Sequence, residues 1–183
     1  MPEWMDIPSL DDAQPEKAIH LARYDYARVA LRGLHVLDCA CGMGYGTHLL
    51  EPDCRSFGVD IDPQAISLAT QRFPLNDYSV GDIYTVPMHQ YDALVSFETL
   101  EHLERPEQVI DRLPINITEI ICSAPIRPTV GWNPWHKSDF THASFCSLIE
   151  RVFRVVHVVG QPWVDGNGDL YLMVHGKRGK WTL

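Results

Sequence analysis

Three kinds of residue in this chain have types and spacings suited to chemistry: alternate glycines, carboxylates at regular intervals, and two histidines set among glutamates and tryptophans. The glycines lie in Val36-Leu-Asp-Cys-Ala-Cys-Gly-Met-Gly-Tyr-Gly46, an apolar run closing on Asp38 and leading into Thr47-His-Leu-Leu50. A strand that feeds a glycine-rich turn opening a helix lets backbone N–H groups approach a ligand, because glycine has no Cβ to hold it off. Asp38, Ala40, Gly42 and Gly44 are therefore candidate contacts of a nucleotide-type cofactor. The dinucleotide fingerprint is not met, because counting from Gly42 puts Thr47 where the third glycine belongs. The phosphate-gripping G-x-x-x-x-G-K-[ST] is absent as well. A carboxylate at Asp38 would repel a pyrophosphate and suits a cofactor with an ammonium or sulfonium centre.

Further acids follow at the ends of later apolar runs. Asp60 closes Gly58-Val-Asp, about 20 residues after the glycine loop, the interval at which an acid accepts hydrogen bonds from ribose hydroxyls. Asp62, next to Pro63, reads as the N-cap of a helix. Asp82, in Val80-Gly-Asp-Ile83, can accept from an adenine amino group while Ile61 and Ile83 sandwich the ring. Any one of these acids alone would read as a cap or turn former; three at successive strand ends favour cofactor binding. Phe97 joins the same set at the end of the next run. Beyond it come Glu98, Glu101 and His102, which share a face at i, i+3, i+4 if that segment is helical. His136 is flanked by Trp132 and Trp135. Two readings stay open: His136 or His102 as general base for a hydroxyl, with Glu98 beside them, or all four residues as a divalent-metal site.

Short runs rich in β-branched residues must position these groups. They lie at His35–Cys39, Ser56–Val59, Tyr78–Val80, Ala93–Phe97 and Glu119–Ser123. Helical patterns at Tyr45–Leu50, Pro63–Arg72 and Arg105–Arg112 separate most of them, after a first helix from Pro15 to about Leu31. Such alternation predicts an α/β fold with a parallel sheet covered on both faces. A late helix at Ala143–Val152 precedes two apolar runs, Arg154–Gly160 and Leu170–His175, joined by a turn-rich segment, which predicts an antiparallel pair at a sheet edge.

The bulk composition narrows the class. With 183 residues, 45% hydrophobic and 21% charged, the chain predicts one domain, residues 15–183, behind a loose arm at 1–14. A net charge of −9 argues against a protein gripping nucleic acid through a broad basic face, and Lys177-Arg178-Gly179-Lys180 reads as a solvated end. No apolar run reaches the roughly 20 residues needed to span a bilayer, and the first residues lack signal-peptide features. Five cysteines, an odd count, read as reduced thiols in a cytoplasm, with Cys39 and Cys41 packing in the loop rather than holding a metal.

The pattern V-L-D-x-x-C-G-x-G-x-G resembles motif I of the class I S-adenosylmethionine (SAM) methyltransferases. With it come G-V-D-I-D-P-Q-A-I, V-G-D-I, Tyr91-Asp-Ala-Leu-Val-Ser-Phe-Glu-Thr-Leu-Glu-His-Leu103 and Asn133-Pro-Trp-His-Lys-Ser-Asp-Phe-Thr141. These look like bacterial methyltransferases of the glycan and small-molecule type, over about residues 20 to 175. The resemblance implies a doubly wound, mostly parallel seven-stranded sheet with an antiparallel last strand and helices on both faces. It implies SAM as cofactor and places His20, Arg23 and Tyr24 near its methionine end. The usual long helix before strand five is trimmed to Arg112–Glu119. The set E-x-x-E-H…H resembles the metal site of small-RNA 2′-O-methyltransferases, though the same residues occur in relatives presumed metal-free. Neither Asn/Asp-Pro-Pro-Tyr nor Pro-Cys is present, so methylation of DNA bases is not expected. The expectation is a hydroxyl acceptor on a small molecule or saccharide, with Ala124–His136 as substrate wall and Arg127 facing any acid. A metal-dependent RNA ribose methyltransferase and a non-catalytic SAM-binding subunit are the alternatives, and oligomeric state stays open.

Overall fold

In the computed structural model, which describes residues 15–131, 133–162 and 169–179, helix α1 (Pro15–Ala30) precedes an alternation of strands and helices. The chain runs β1 (His35–Cys39), α2 (Tyr45–Leu50), β2 (Arg55–Asp60), α3 (Pro63–Arg72), β3 (Asp77–Val80) and β4 (Ala93–Phe97). A short 3₁₀ turn, Leu100–His102, leads to α4 (Pro106–Asp111), β5 (Glu119–Pro125), α5 (His142–Glu150), β6 (Arg154–Pro162) and β7 (Asp169–Lys177). The expected arm at 1–14, Trp132, most of the turn before β7 and Lys180 lie outside the described residues.

The strands form one sheet in the order β3-β2-β1-β4-β5-β7-β6. The first five pair in parallel, and β7 runs antiparallel to both β5 and β6. The expected antiparallel pair is therefore present, with β7 inserted between β5 and the edge strand β6. Burial follows position: all five residues of β4 are buried, whereas edge strands β3 and β6 are largely open to solvent. Because side chains alternate along a strand, each central strand feeds two cores. Val36, Ala93, Val95 and Phe97 pack under α1 and α2 with Tyr24, Ala27 and Leu31. Leu37, Leu94, Ile120 and Cys122 face the other way, toward Val109, Phe145 and Ile149 on α4 and α5.

Strand order reverses between β1 and β4, and in open parallel sheets a crevice opens at the carboxyl ends of the strands there. The trimmed segment before β5 is held by side chains in place of a longer helix. Asn116 Nδ2 donates to the carbonyls of Met88, His89 and Tyr91 at 3.4, 3.1 and 2.6 Å. Ile117 is wholly buried beside it.

Candidate active site

The loop after β1 follows an alternating left-handed path, with φ of 61° at Ala40, 53° at Gly42 and 78° at Gly44. Cys41 N donates to Val59 O at 3.0 Å, tying the loop to β2. The last two glycines of the motif serve packing rather than ligand approach. A Cβ on Gly44 would lie 2.6 Å from Ala69 Cβ and 2.7 Å from the Tyr78 ring, and one on Gly46 would strike the Tyr24 ring at 2.0 Å. Ala40, Cys41 and Gly42 line a cavity of about 760 Å³; Gly44 does not.

Asp38 departs from its expected position on the cavity wall. It is fully buried beneath the loop, accepting from Thr47 Oγ1 at 2.7 Å and Tyr24 OH at 3.2 Å. Burial pushes its pKa up to about 7, against the pull of those two hydrogen bonds. It supports the loop from below. Cys39 and Cys41 are buried thiols, each pushed upward in pKa chiefly by burial.

Asp60, Ile61, Asp82 and Ile83 all line the cavity. Asp60 Oδ2 accepts from Gly42 N and Oδ1 from Asp62 N, each at 2.9 Å, so the carboxylate is fixed in orientation. Burial raises its pKa, against those N–H donors. Each carboxylate oxygen has a second lone pair, so acceptor capacity remains for a diol. Asp82 Oδ1 accepts from Tyr84 N at 2.8 Å. Ile83 is 8% exposed and Ile61 67%. Asp62 caps α3, accepting from Gln64 N at 2.8 Å.

Helix α1 closes the next part of the cavity with His20 and Tyr24, which pack around Phe97. His20 Nδ1 is hydrogen-bonded to Tyr45 OH, and burial, then the charge of Arg23, pushes its pKa down to about 3. Arg23, 1% exposed, donates through Nη1 to Glu98 Oε1 at 2.7 Å and Ser123 Oγ at 2.9 Å, and through Nε to Gln161 Oε1 at 2.6 Å. Its guanidinium carbon stands 4.8 Å from the centre of the Tyr171 ring.

Glu98 does not share a face with Glu101 and His102. Its backbone turns left-handed, φ 49°, and only Leu100–His102 is helical, as a 3₁₀ turn. Its carboxylate is taken by Arg23 and by Ser123 Oγ at 2.7 Å. The remaining three of the four residues do come together. Ligand-type atoms of Glu101, His102 and His136 lie within 4.8 Å of one another, and the two imidazole rings meet edge to face at 4.7 Å. The loop carrying His136 is bound to the 3₁₀ turn, with Lys137 N and Ser138 N donating to Glu101 O at 2.7 and 3.0 Å.

Two residues not singled out by sequence hold His136. Thr129 Oγ1 lies 2.5 Å from His136 Nδ1 and 3.3 Å from Asp139 Oδ1. Asp139 also accepts from Thr129 N and Val130 N, at 2.6 and 3.0 Å, and the Thr129 N–H leads in lowering its pKa. Asp139 lies inside the Asn133–Thr141 segment and Thr129 inside Ala124–His136, but neither residue's type nor spacing marks it as a partner of His136. His102, Thr129, Trp135 and His136 line the same cavity as Asp60 and Asp82.

Residues 37–113 match a family model described as a methyltransferase domain. A probable SAM-dependent methyltransferase of Mycolicibacterium smegmatis is 28% identical over 151 residues, covering 74% of this chain and 58% of that protein. The mitochondrial ubiquinone biosynthesis O-methyltransferase of Dictyostelium discoideum is 28% identical over 153 residues, covering 73% of this chain and 45% of that one. The chain thus spans about half the length of these relatives. Among solved structures, the N-methyltransferase NodS of Bradyrhizobium japonicum, in complex with S-adenosyl-L-homocysteine (SAH), superposes with a TM-score of 0.77 at 18% identity, over 96% of this chain and 94% of that one. Magnesium protoporphyrin IX methyltransferase of Synechocystis gives 0.70 at 14% identity, over 98% and 90%. No described helix is long and apolar enough to cross a membrane. Residues 37–113 therefore match a methyltransferase domain, and the chain as a whole shares the fold of solved methyltransferases.

Proposed function

We propose that this protein binds SAM in the 760 Å³ cavity and transfers its methyl group to a hydroxyl of a small molecule or saccharide. The observation that carries the reading is one continuous cavity with the Asp60–Asp82 acids at one part and a supported histidine, His136, at another. The donor set fits the cofactor: Asp60 would accept from the ribose hydroxyls, Asp82 from the adenine amino group, with Ile83 and Ile61 on the two ring faces.

Bound SAM supplies an electrophilic methyl carbon on a sulfonium. The chain's own contribution is alignment and proton removal. Thr129, donating its hydroxyl proton to Asp139, accepts Nδ1–H from His136, which fixes the tautomer with the basic lone pair on Nε2. In that tautomer His136 Nε2 would take the proton of the acceptor hydroxyl as the methyl group is transferred to its oxygen. Trp135, half exposed on the cavity wall, offers a stacking face for a sugar or aromatic ring.

The test is a calorimetric titration with SAM on wild type and Asp60→Ala. Micromolar binding weakened at least tenfold in the variant supports the reading; wild type that binds no SAM overturns it.

A second reading is favoured by the convergence of Glu101, His102 and His136. Here the three ligate a divalent cation that acidifies one hydroxyl of a diol, including a ribose diol. Activity that is lost in chelator and restored by added cation selects it over the histidine base.

A further inference from the structure

A second depression, about 700 Å³, opens beside the cavity and shares Tyr84, His102 and Leu103 with it. Its remaining charged wall is Arg105, Arg112 and Lys137 against one acid, Glu104. Three cations facing one acid is unusual local company in a chain of net charge −9. None of the three cations makes an ion pair with an acid among the described residues.

The groove is built rather than incidental. Arg112 is half-buried and held by uncharged partners: Nη1 donates to Ile83 O at 3.0 Å and to Met88 Sδ at 3.5 Å, and Nη2 to Val86 O at 2.8 Å. Carbonyls fix a guanidinium in place without neutralising it, so its positive charge remains available to a ligand. Lys137, from a different segment, is brought to the same groove by its backbone bond to Glu101 O. Arg105 N donates to Tyr84 OH at 3.2 Å, setting the tyrosine at the junction of the two spaces. His102 stands at that junction too, edge to face with His136.

We infer that the groove takes an oxyanion, a phosphate or a carboxylate, carried by the acceptor whose hydroxyl sits at His136. This rests on the proposed methyl transfer and narrows its substrate class to anionic hydroxyl compounds. Charge-assisted hydrogen bonds from Arg and Lys are the strong ones, and a fixed guanidinium gives them direction. A positive groove on an acidic protein would also draw an anionic acceptor toward the cleft in a salt-dependent way.

The test uses the whole chain loaded with SAH. Inorganic phosphate, malonate and uncharged glucose are titrated by calorimetry against wild type and against Arg105→Gln/Lys137→Gln. Both positions are exposed, so the fold is kept, and SAH affinity is read in the same samples. Binding of either anion below about 10 mM, at least tenfold tighter than glucose and lost about tenfold in the variant, supports the inference. Preference for phosphate or for malonate then identifies the oxyanion. Wild type that binds neither anion better than glucose, or a variant that keeps the preference, overturns it. Failure of SAH to bind while the anions still do would overturn the methyltransferase reading and leave the groove.

Discussion

Arg23 on α1 and Glu98 after β4 are 75 residues apart in sequence and joined by a 2.7 Å ion pair, with the guanidinium 1% and the carboxylate 21% exposed. The pair clamps α1 across the carboxyl end of the sheet and holds Glu98 at a positive φ. Removing one partner of a buried pair strands the other. Glu98→Ala is expected to destabilise the protein by about 3 kcal/mol in urea unfolding and to weaken SAM binding as α1 loosens. Glu98→Gln, which still accepts from Arg23 and Ser123, should recover part of both losses.

Asp38 carries a pH signature. Its folded pKa of about 7 lies above its ordinary carboxylate value, so between roughly pH 4 and 7 the folded chain holds a proton that the unfolded chain has released. The cost of ionising a buried carboxylate is absent below pH 4 and fully present above pH 7. His20, held neutral with a folded pKa of about 3, acts in the opposite direction between about pH 3 and 6.5, because unfolding lets it take up a proton. The two slopes offset each other in wild type over the range they share. Asp38→Asn removes one of them. Its melting temperature relative to wild type should rise steadily from pH 4 to 7 and level off above; a constant difference across that range would count against a buried ionisable Asp38.

Ala40 adopts a left-handed backbone that glycine accepts without cost. Ala40→Gly is expected to stabilise the chain by up to about 1 kcal/mol, with SAM affinity preserved, as read by thermal denaturation and calorimetry.

His136 and its support are separable. His136→Gln should lower kcat by about 10²- to 10⁴-fold with SAH affinity unchanged. Thr129→Val should lower it less and shift the pH–rate profile, because the ring loses the partner that fixes its tautomer. Insensitivity to chelator is expected with both under the histidine-base reading.

The sheet and its helices were legible because the β-branched runs are short and flanked by glycine, proline and acids; most boundaries fall within two residues of expectation. That Asp60, Asp82 and Ile83 line one cavity was legible for a related reason, since consecutive parallel strands end at the same edge of the sheet. Asp38 was read as facing the ligand because spacing cannot tell which side of a loop a side chain takes; Thr47 and Tyr24 decide that. Glu98 was grouped with Glu101 on helical spacing, and a single left-handed residue breaks the period. Arg23–Glu98 and Thr129–Asp139 are tertiary pairings between residues that no local pattern joins. The cationic groove draws Arg105 and Arg112 from one segment and Lys137 from another, and the turn at Glu101 is what brings them together.

The insertion of β7 between β5 and β6 has a consequence for biogenesis. During synthesis the five parallel strands can pair as they emerge, but β5 keeps an open hydrogen-bonding edge, and β6 has no neighbour at all, until residues 169–177 arrive. Unpaired strand edges invite association between nascent chains. Strand β7 therefore acts as the closing wedge of the sheet, and a chain released before residue 169 would be poised to aggregate.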